Sequence, residues 1–137
     1  MITDSAESNA RKAKGETLQK AIEAGLKAAF PEYADDIESS PMSAHGEDIR
    51  IKSNAARKAV PVSIEAKWKT TGLSPVYAAY EQAARQAEAL PSTLAITPLA
   101  AIQQEGCDPL IVMSMEDWLV FTKRLHRLTA NNSGSDY

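Results

Sequence analysis

Val62-Ser63-Ile64-Glu65-Ala66-Lys67-Trp68 is the stretch from which the rest of this chain can be read. Apolar and polar residues alternate along it. That is the period of a half-buried strand, in which every second side chain shares a face. Val62, Ile64, Ala66 and Trp68 point one way, and Ser63, Glu65, Lys67 and Lys69 the other. Glu65 and Lys67 therefore stand side by side. Gly46-Glu47-Asp48-Ile49 lies a short hairpin's length upstream, so Asp48 can arrive on the neighbouring strand. Two carboxylates and a lysine on one sheet surface can hold a divalent cation and act on a phosphodiester.

Outward from this stretch, the punctuation predicts a single α/β domain. Leu18, Ile22, Leu26 and Ala29 recur at helical spacing, giving a first helix from about Ala10 to Phe30 that Pro31 stops. Strands are expected at Asp36 to Pro41, Asp48 to Lys52 and Val60 to Trp68, with Asn54 to Lys58 linking the last two. Ser74 as N-cap, Pro75 at the first helical position and Pro91 beyond the end mark a second helix. Thr93 to Thr97 and Leu110 to Ser114 read as short apolar strands. A third helix follows from Met115 behind an N-cap Ser114, with Trp118, Phe121, Leu125 and Leu128 as its apolar face. The expected order is α-β-β-β-α-β-β-α, a mixed β-sheet core flanked by helices. Residues 1–9 and 130–137 are expected as flexible tails around a domain spanning 10–129.

With 137 residues the chain supports one modest core, and no apolar run reaches the length of a membrane span. The polar start, Met1-Ile2-Thr3-Asp4-Ser5, lacks the features of a secretory signal. The single cysteine, Cys107, excludes an internal disulfide, and the two histidines are far apart, so a Cys/His zinc site is not expected and a reducing cytoplasm is. Net charge is −3, but the distribution is uneven. From Arg50 to Lys69 there are six bases and one acid, a local charge of +5, and Arg11, Lys12 and Lys14 form a second basic cluster. One basic face on an otherwise acidic protein suits a phosphate-bearing partner.

Magnesium takes one or two carboxylates together with water and substrate phosphate. Asp48 and Glu65 supply the carboxylates, and the Ala66 backbone carbonyl a further oxygen. Lys67 alongside would orient water or steady charge on the transition state. An acid on one strand, Glu-x-Lys on the next, and a helix on each side resemble the PD-(D/E)xK nuclease superfamily, with Glu47 where that motif has proline. Lys14-Gly15, Leu18-Gln19, Ser39 to Ser43, Gly46-Glu47-Asp48-Ile49, Ser63-Ile64-Glu65-Ala66-Lys67 and Gln82-Ala83 resemble, in that order, a group of small phage nucleases that are in turn similar to archaeal Holliday-junction resolvases. The likeness covers roughly residues 10 to 120.

The resemblance implies a restriction-endonuclease-like fold and a DNA endonuclease dependent on Mg2+, with Mn2+ as substitute, in the cytoplasm of a bacterium or phage-infected cell. Branched or recombination-intermediate DNA is the implied substrate, and cutting two strands implies a homodimer. Asp48, Glu65 and Lys67 are then the catalytic residues. A first-helix residue would complete the metal shell. Gln19 has the better register, three residues before Ile22, and Glu16 the better chemistry although it lies about 160° around the helix from Leu18. Lys12, Lys14, Ser43, Lys52, Arg57, Lys58, Lys69 and Gln82 are the expected DNA contacts.

Blander alternatives exist for each feature. Glu-x-Lys on a solvent-facing strand is commonly a surface ion pair of little energetic value. The lysine and arginine run can be a solvated face, and Glu47, which is expected to point away from Asp48, a surface residue. Two other classes of protein fit the same residues: a non-catalytic nucleic-acid-binding protein on a nuclease scaffold, and a binding domain whose Glu65–Lys67 pair is structural.

Overall fold

The structure, a computed structural model, describes residues 2–41 and 45–132. The chain is mixed α/β and divides into two compact units, Met1–Thr70 with Leu119–Tyr137, and Thr71–Trp118. In place of the one mixed sheet expected, each unit holds its own two-stranded antiparallel sheet.

The first unit opens with α1 (Ile2–Ala29), which starts at Ile2 where a tail to residue 9 was expected. Pro31 ends it as predicted, and residues Pro31–Asp36 form a short 3-10 helix. Strands β1 (Ile37–Ser39) and β2 (Ile49–Ile51) pair Ile37 with Ile51 and Ser39 with Ile49. α1 lies on both strands. Leu26, Phe30, Ile37, Ile49 and Val60 are fully buried and form the core at that contact. At Gly25 an added Cβ would come 2.9 Å from Leu119 Cδ1, so the bare backbone there lets Leu119 approach α1.

The expected link between the second and third strands is instead a helix, α2 (Asn54–Ala59), capped by the Ser53 hydroxyl, which accepts from the Ala56 N–H at 3.1 Å. The third predicted strand, Val60 to Trp68, keeps the alternation but not the ladder. Val62, Ile64, Ala66 and Trp68 are half-buried while Ser63, Glu65, Lys67 and Lys69 are exposed. Pro61 has no N–H to donate and the Val62 N–H bonds locally to the Val60 carbonyl, so the start of the run is unavailable for pairing.

In the second unit α3 (Ser74–Glu88) packs on β3 (Ala100–Ile102), which pairs with β4 (Leu110–Val112). Ser74 is the first helical residue, with Leu73 in the cap position that Ser74 was expected to fill. The strand expected at Thr93 to Thr97 does not form. Leu94 and Ile96 donate to carbonyls two or three residues back, and β3 begins only after Pro98. α4 (Met115–Asn132) starts as predicted, the Ser114 hydroxyl accepting from the Asp117 N–H at 3.1 Å, and continues through residues 130–132 that were expected as tail. The order is thus α-β-β-α-α-β-β-α after insertion of α2 and loss of the third strand.

Candidate active site

The first unit converges on Asp48, at the end of its sheet. The Asp48 carbonyl accepts from the Ser40 N–H at 2.8 Å, extending the β1–β2 ladder by one pair. On its other side the Asp48 N–H donates to the Ile64 carbonyl at 3.1 Å. Its carboxylate then reaches across, and Oδ2 accepts from the Ala66 N–H at 2.6 Å. The acid and the Glu-x-Lys run are so brought together through the peptide between Glu65 and Lys67. Glu65 and Lys67 are both exposed, and neither makes an ion pair with a described residue, so the surface salt bridge of the bland alternative is not formed.

Arg57 ties the same two segments from below. Its Nη1 and Nη2 donate to the two carboxylate oxygens of Glu47 at 3.1 and 3.2 Å, and Nη1 also donates to the Val62 carbonyl at 2.7 Å. A planar guanidinium suits this fork. Glu47 is thereby turned to Arg57 while Asp48 faces Ala66, the divergence that alternation predicts. The position of Arg57 is set by α2, whose capping Ser53 hydroxyl donates to Asp36 Oδ2 at 3.0 Å. Sequence inspection expects Arg57 as a DNA contact; in the structure its guanidinium is paired with Glu47 and the Val62 carbonyl.

Of the two first-helix candidates, Glu16 is exposed and Gln19 is 4% exposed. Gln19 Oε1 is buried and has no hydrogen-bond partner. Lys14, five residues before it, holds its ammonium 4.7 Å from the centre of the Trp68 ring. Glu23, four residues after it, accepts from the Ser39 hydroxyl at 3.3 Å. At 1.5 Å rise per residue Gln19 lies between these two contacts along the helix axis. An orphaned buried acceptor at that place fits a cation or an ordered water.

Glu23 is a residue that inspection of the sequence missed. Its side chain is 14% exposed, with Lys27 at 3.3 Å and Lys20 at 3.5 Å. Burial pushes its carboxyl up, but the hydrogen bond from Lys27, the charges of Lys20 and Lys27, and the bond from Ser39 outweigh it and hold the group below its ordinary value. Its i,i+4 spacing to Lys27 was visible in the sequence; its contact with Ser39 was not.

The basic field is weaker than composition implied. Lys52 pairs with Glu38 at 3.4 Å and Arg57 with Glu47, two acids outside the counted window, so the local surplus falls from five to three. Lys14 is engaged with Trp68. Lys12, Arg50, Lys58 and Lys69 are exposed and make no ion pair with a described residue. Ser43 lies outside the described residues, and Gln82 is an exposed residue of α3 in the second unit. Among the described residues no group of three or more His, Cys, Asp or Glu gathers to hold a metal. The carboxylates at this end of the first unit are Asp48, held by the Ala66 N–H, and the exposed Glu65. Compared with protein-family models, with curated proteins and with solved structures, the chain matches none.

Proposed function

We propose that this chain is a magnesium-dependent DNA endonuclease of the PD-(D/E)xK kind, built on a reduced restriction-endonuclease-like core and acting on branched or recombination-intermediate DNA. The observation that carries the proposal is the bond from the Ala66 N–H to the Asp48 carboxylate, which joins an acid to the Glu-x-Lys run. The orphaned, buried Oε1 of Gln19 on α1 supports it. Asp48, Glu65, the Ala66 carbonyl and Gln19 would hold the cation. When bound, it would supply charge to the phosphoryl oxygens and a water of lowered pKa.

The residues themselves do the positioning. The Ala66 N–H fixes the Asp48 carboxylate by one oxygen, and Oδ1 makes no bond to a described residue. Lys67, exposed and unpaired among the described residues, presents an ammonium that can meet a non-bridging phosphate oxygen or hold the attacking water. Arg50, Lys58 and Lys69 add to the field that draws the backbone of DNA in. Cutting two strands calls for two such sites, hence a homodimer.

A non-catalytic nucleic-acid-binding role on the same scaffold is favoured by one observation, the lack of a third acid near Asp48 and Glu65 among the described residues. Incubation with linear, flapped, single-stranded and four-way-junction DNA, with and without Mg2+, separates the two. Cleavage that requires Mg2+ and is lost in Asp48→Ala, Glu65→Ala and Lys67→Ala while DNA binding persists is the expected result. Full activity of Glu65→Ala on these substrates would refute the site; binding without cleavage, and no heat on titration with Mn2+, would favour the scaffold role.

A further inference from the structure

The two units differ sharply in charge. Thr71–Trp118 holds six acids and a single base, Arg85, a net charge of −5. The remainder of the chain has fourteen bases and twelve acids, a net charge of +2. None of the six acids makes an ion pair with a described residue.

Within this acidic unit, α3 and the end of β4 enclose an apolar groove of about 350 Å³. Val76, Tyr77 and Tyr80 of α3 line one wall, and Val112, Met113 and Met115 the other. Tyr77 is 64% and Met115 43% exposed. Exposed apolar surface rimmed by polar residues is the mark of a binding face, and methionine lets such a face adapt to what enters it.

The acids lie beside this groove. On the α3 wall, at 100° per residue, Glu81 and Glu88 stand about 40° and about 20° round the helix from Tyr77, while Arg85 stands about 80° from it, further from Val76 and Tyr80. On the other wall Glu116 and Asp117 follow Met115 directly. The Asp117 N–H donates at 3.1 Å to the hydroxyl of Ser114, another residue of the lining. Acidic margins repel the phosphates of nucleic acid and the head groups of anionic lipid. A second copy of the same face would set like charge against like. What they attract is a cationic surface with large apolar side chains.

We propose that this groove docks a basic amphipathic segment of another protein. One large apolar side chain of that segment enters between the tyrosines of α3 and the methionines, and its lysines or arginines lie beside Glu81, Glu88, Glu116 and Asp117. The docking face does not depend on the nuclease chemistry, because every residue it uses belongs to the second unit.

The test is fluorescence anisotropy of a labelled synthetic peptide of roughly 18 residues, made of leucine and lysine with the leucines at helical spacing, titrated with the full chain. Binding is expected at micromolar concentration, weakening as salt is raised. Tyr77→Ala removes an exposed side chain, so circular dichroism should be unchanged while affinity falls at least about tenfold. Glu81→Lys/Glu88→Lys should weaken binding as much. Glu105→Lys/Asp108→Lys makes the same change of charge in the loop between β3 and β4, at the other end of β4 from Met113, and should stay within about threefold of wild type. A peptide of the same composition with its leucines scattered should bind at least about tenfold more weakly. The proposal is overturned by absence of binding up to about millimolar chain, by a Tyr77→Ala variant that binds as well as wild type, by equal loss in the two charge variants, or by equal binding of the scattered peptide. Self-association or adsorption to anionic vesicles that depends on Tyr77 would assign the groove to another occupant and overturn it as well.

Discussion

Gln19 sits on the same buried helix face as Leu26 and Phe30, yet its carbonyl oxygen has no partner. A buried acceptor left unpaired costs about 1–3 kcal/mol. Such costs persist where a function uses the group. Gln19→Leu is therefore expected to raise the unfolding free energy by on the order of 1 kcal/mol and at the same time to weaken Mn2+ binding in calorimetry. A variant that gains stability and binds metal as before would make Gln19 an ordinary packing residue. Glu23, one turn on, makes a different prediction. Its folded-state pKa is depressed, so its stabilisation is fully present above the ordinary glutamate value and is lost as pH falls through the folded one. Glu23→Gln should accordingly unfold more easily than wild type at neutral pH, with the gap closing in denaturant titrations carried into the acid range. The choice between Glu16 and Gln19 was open from the sequence because helical register ranks faces but does not reveal which polar residue is covered. Helical register favoured Gln19; in the structure Gln19 is buried and Glu16 exposed.

The short elements around Asp48 are joined by side chains more than by ladders. β1 and β2 are three residues each, and the Val60 to Trp68 run adds one backbone bond to Asp48 rather than a third strand. Arg57, carried by α2, supplies the missing connection through Glu47 and the Val62 carbonyl. A lysine keeps the charge but has no planar fork. Arg57→Lys is expected to cost about 1–2 kcal/mol in thermal or denaturant unfolding and to slow cleavage while leaving DNA affinity within about twofold. A large loss of DNA affinity with unchanged stability would make Arg57 a DNA contact first of all. The alternation in residues 62–68 was legible because it depends only on neighbours along the chain. The α2 helix was not, since six residues with three alanines and two bases carry little helical signal until Ser53 caps them and Asp36 fixes the cap.

Burial is divided unevenly between the two units. Of the buried apolar residues all but Ala100 belong to the first unit, while Tyr77, Leu90, Leu94, Leu99, Leu110 and Ile111 of the second are exposed. Opening free energy follows buried apolar contact. Amide hydrogen exchange should therefore be slowest in β1, β2 and the later turns of α1, and faster in α3, β3 and β4. Equal protection of both units would mean that the second is covered by contacts beyond a single chain. Composition, helix stops at Pro31, the Ser114 cap and the strand period around Glu65 were all readable from residue order, because each arises from local sterics or from spacing along one element. The partition into two sheets, the neutralisation of Lys52 and Arg57, and the burial of Gln19 and Glu23 were not. They depend on which distant residues arrive beside one another, and charge pairing and desolvation act through space and not along the chain.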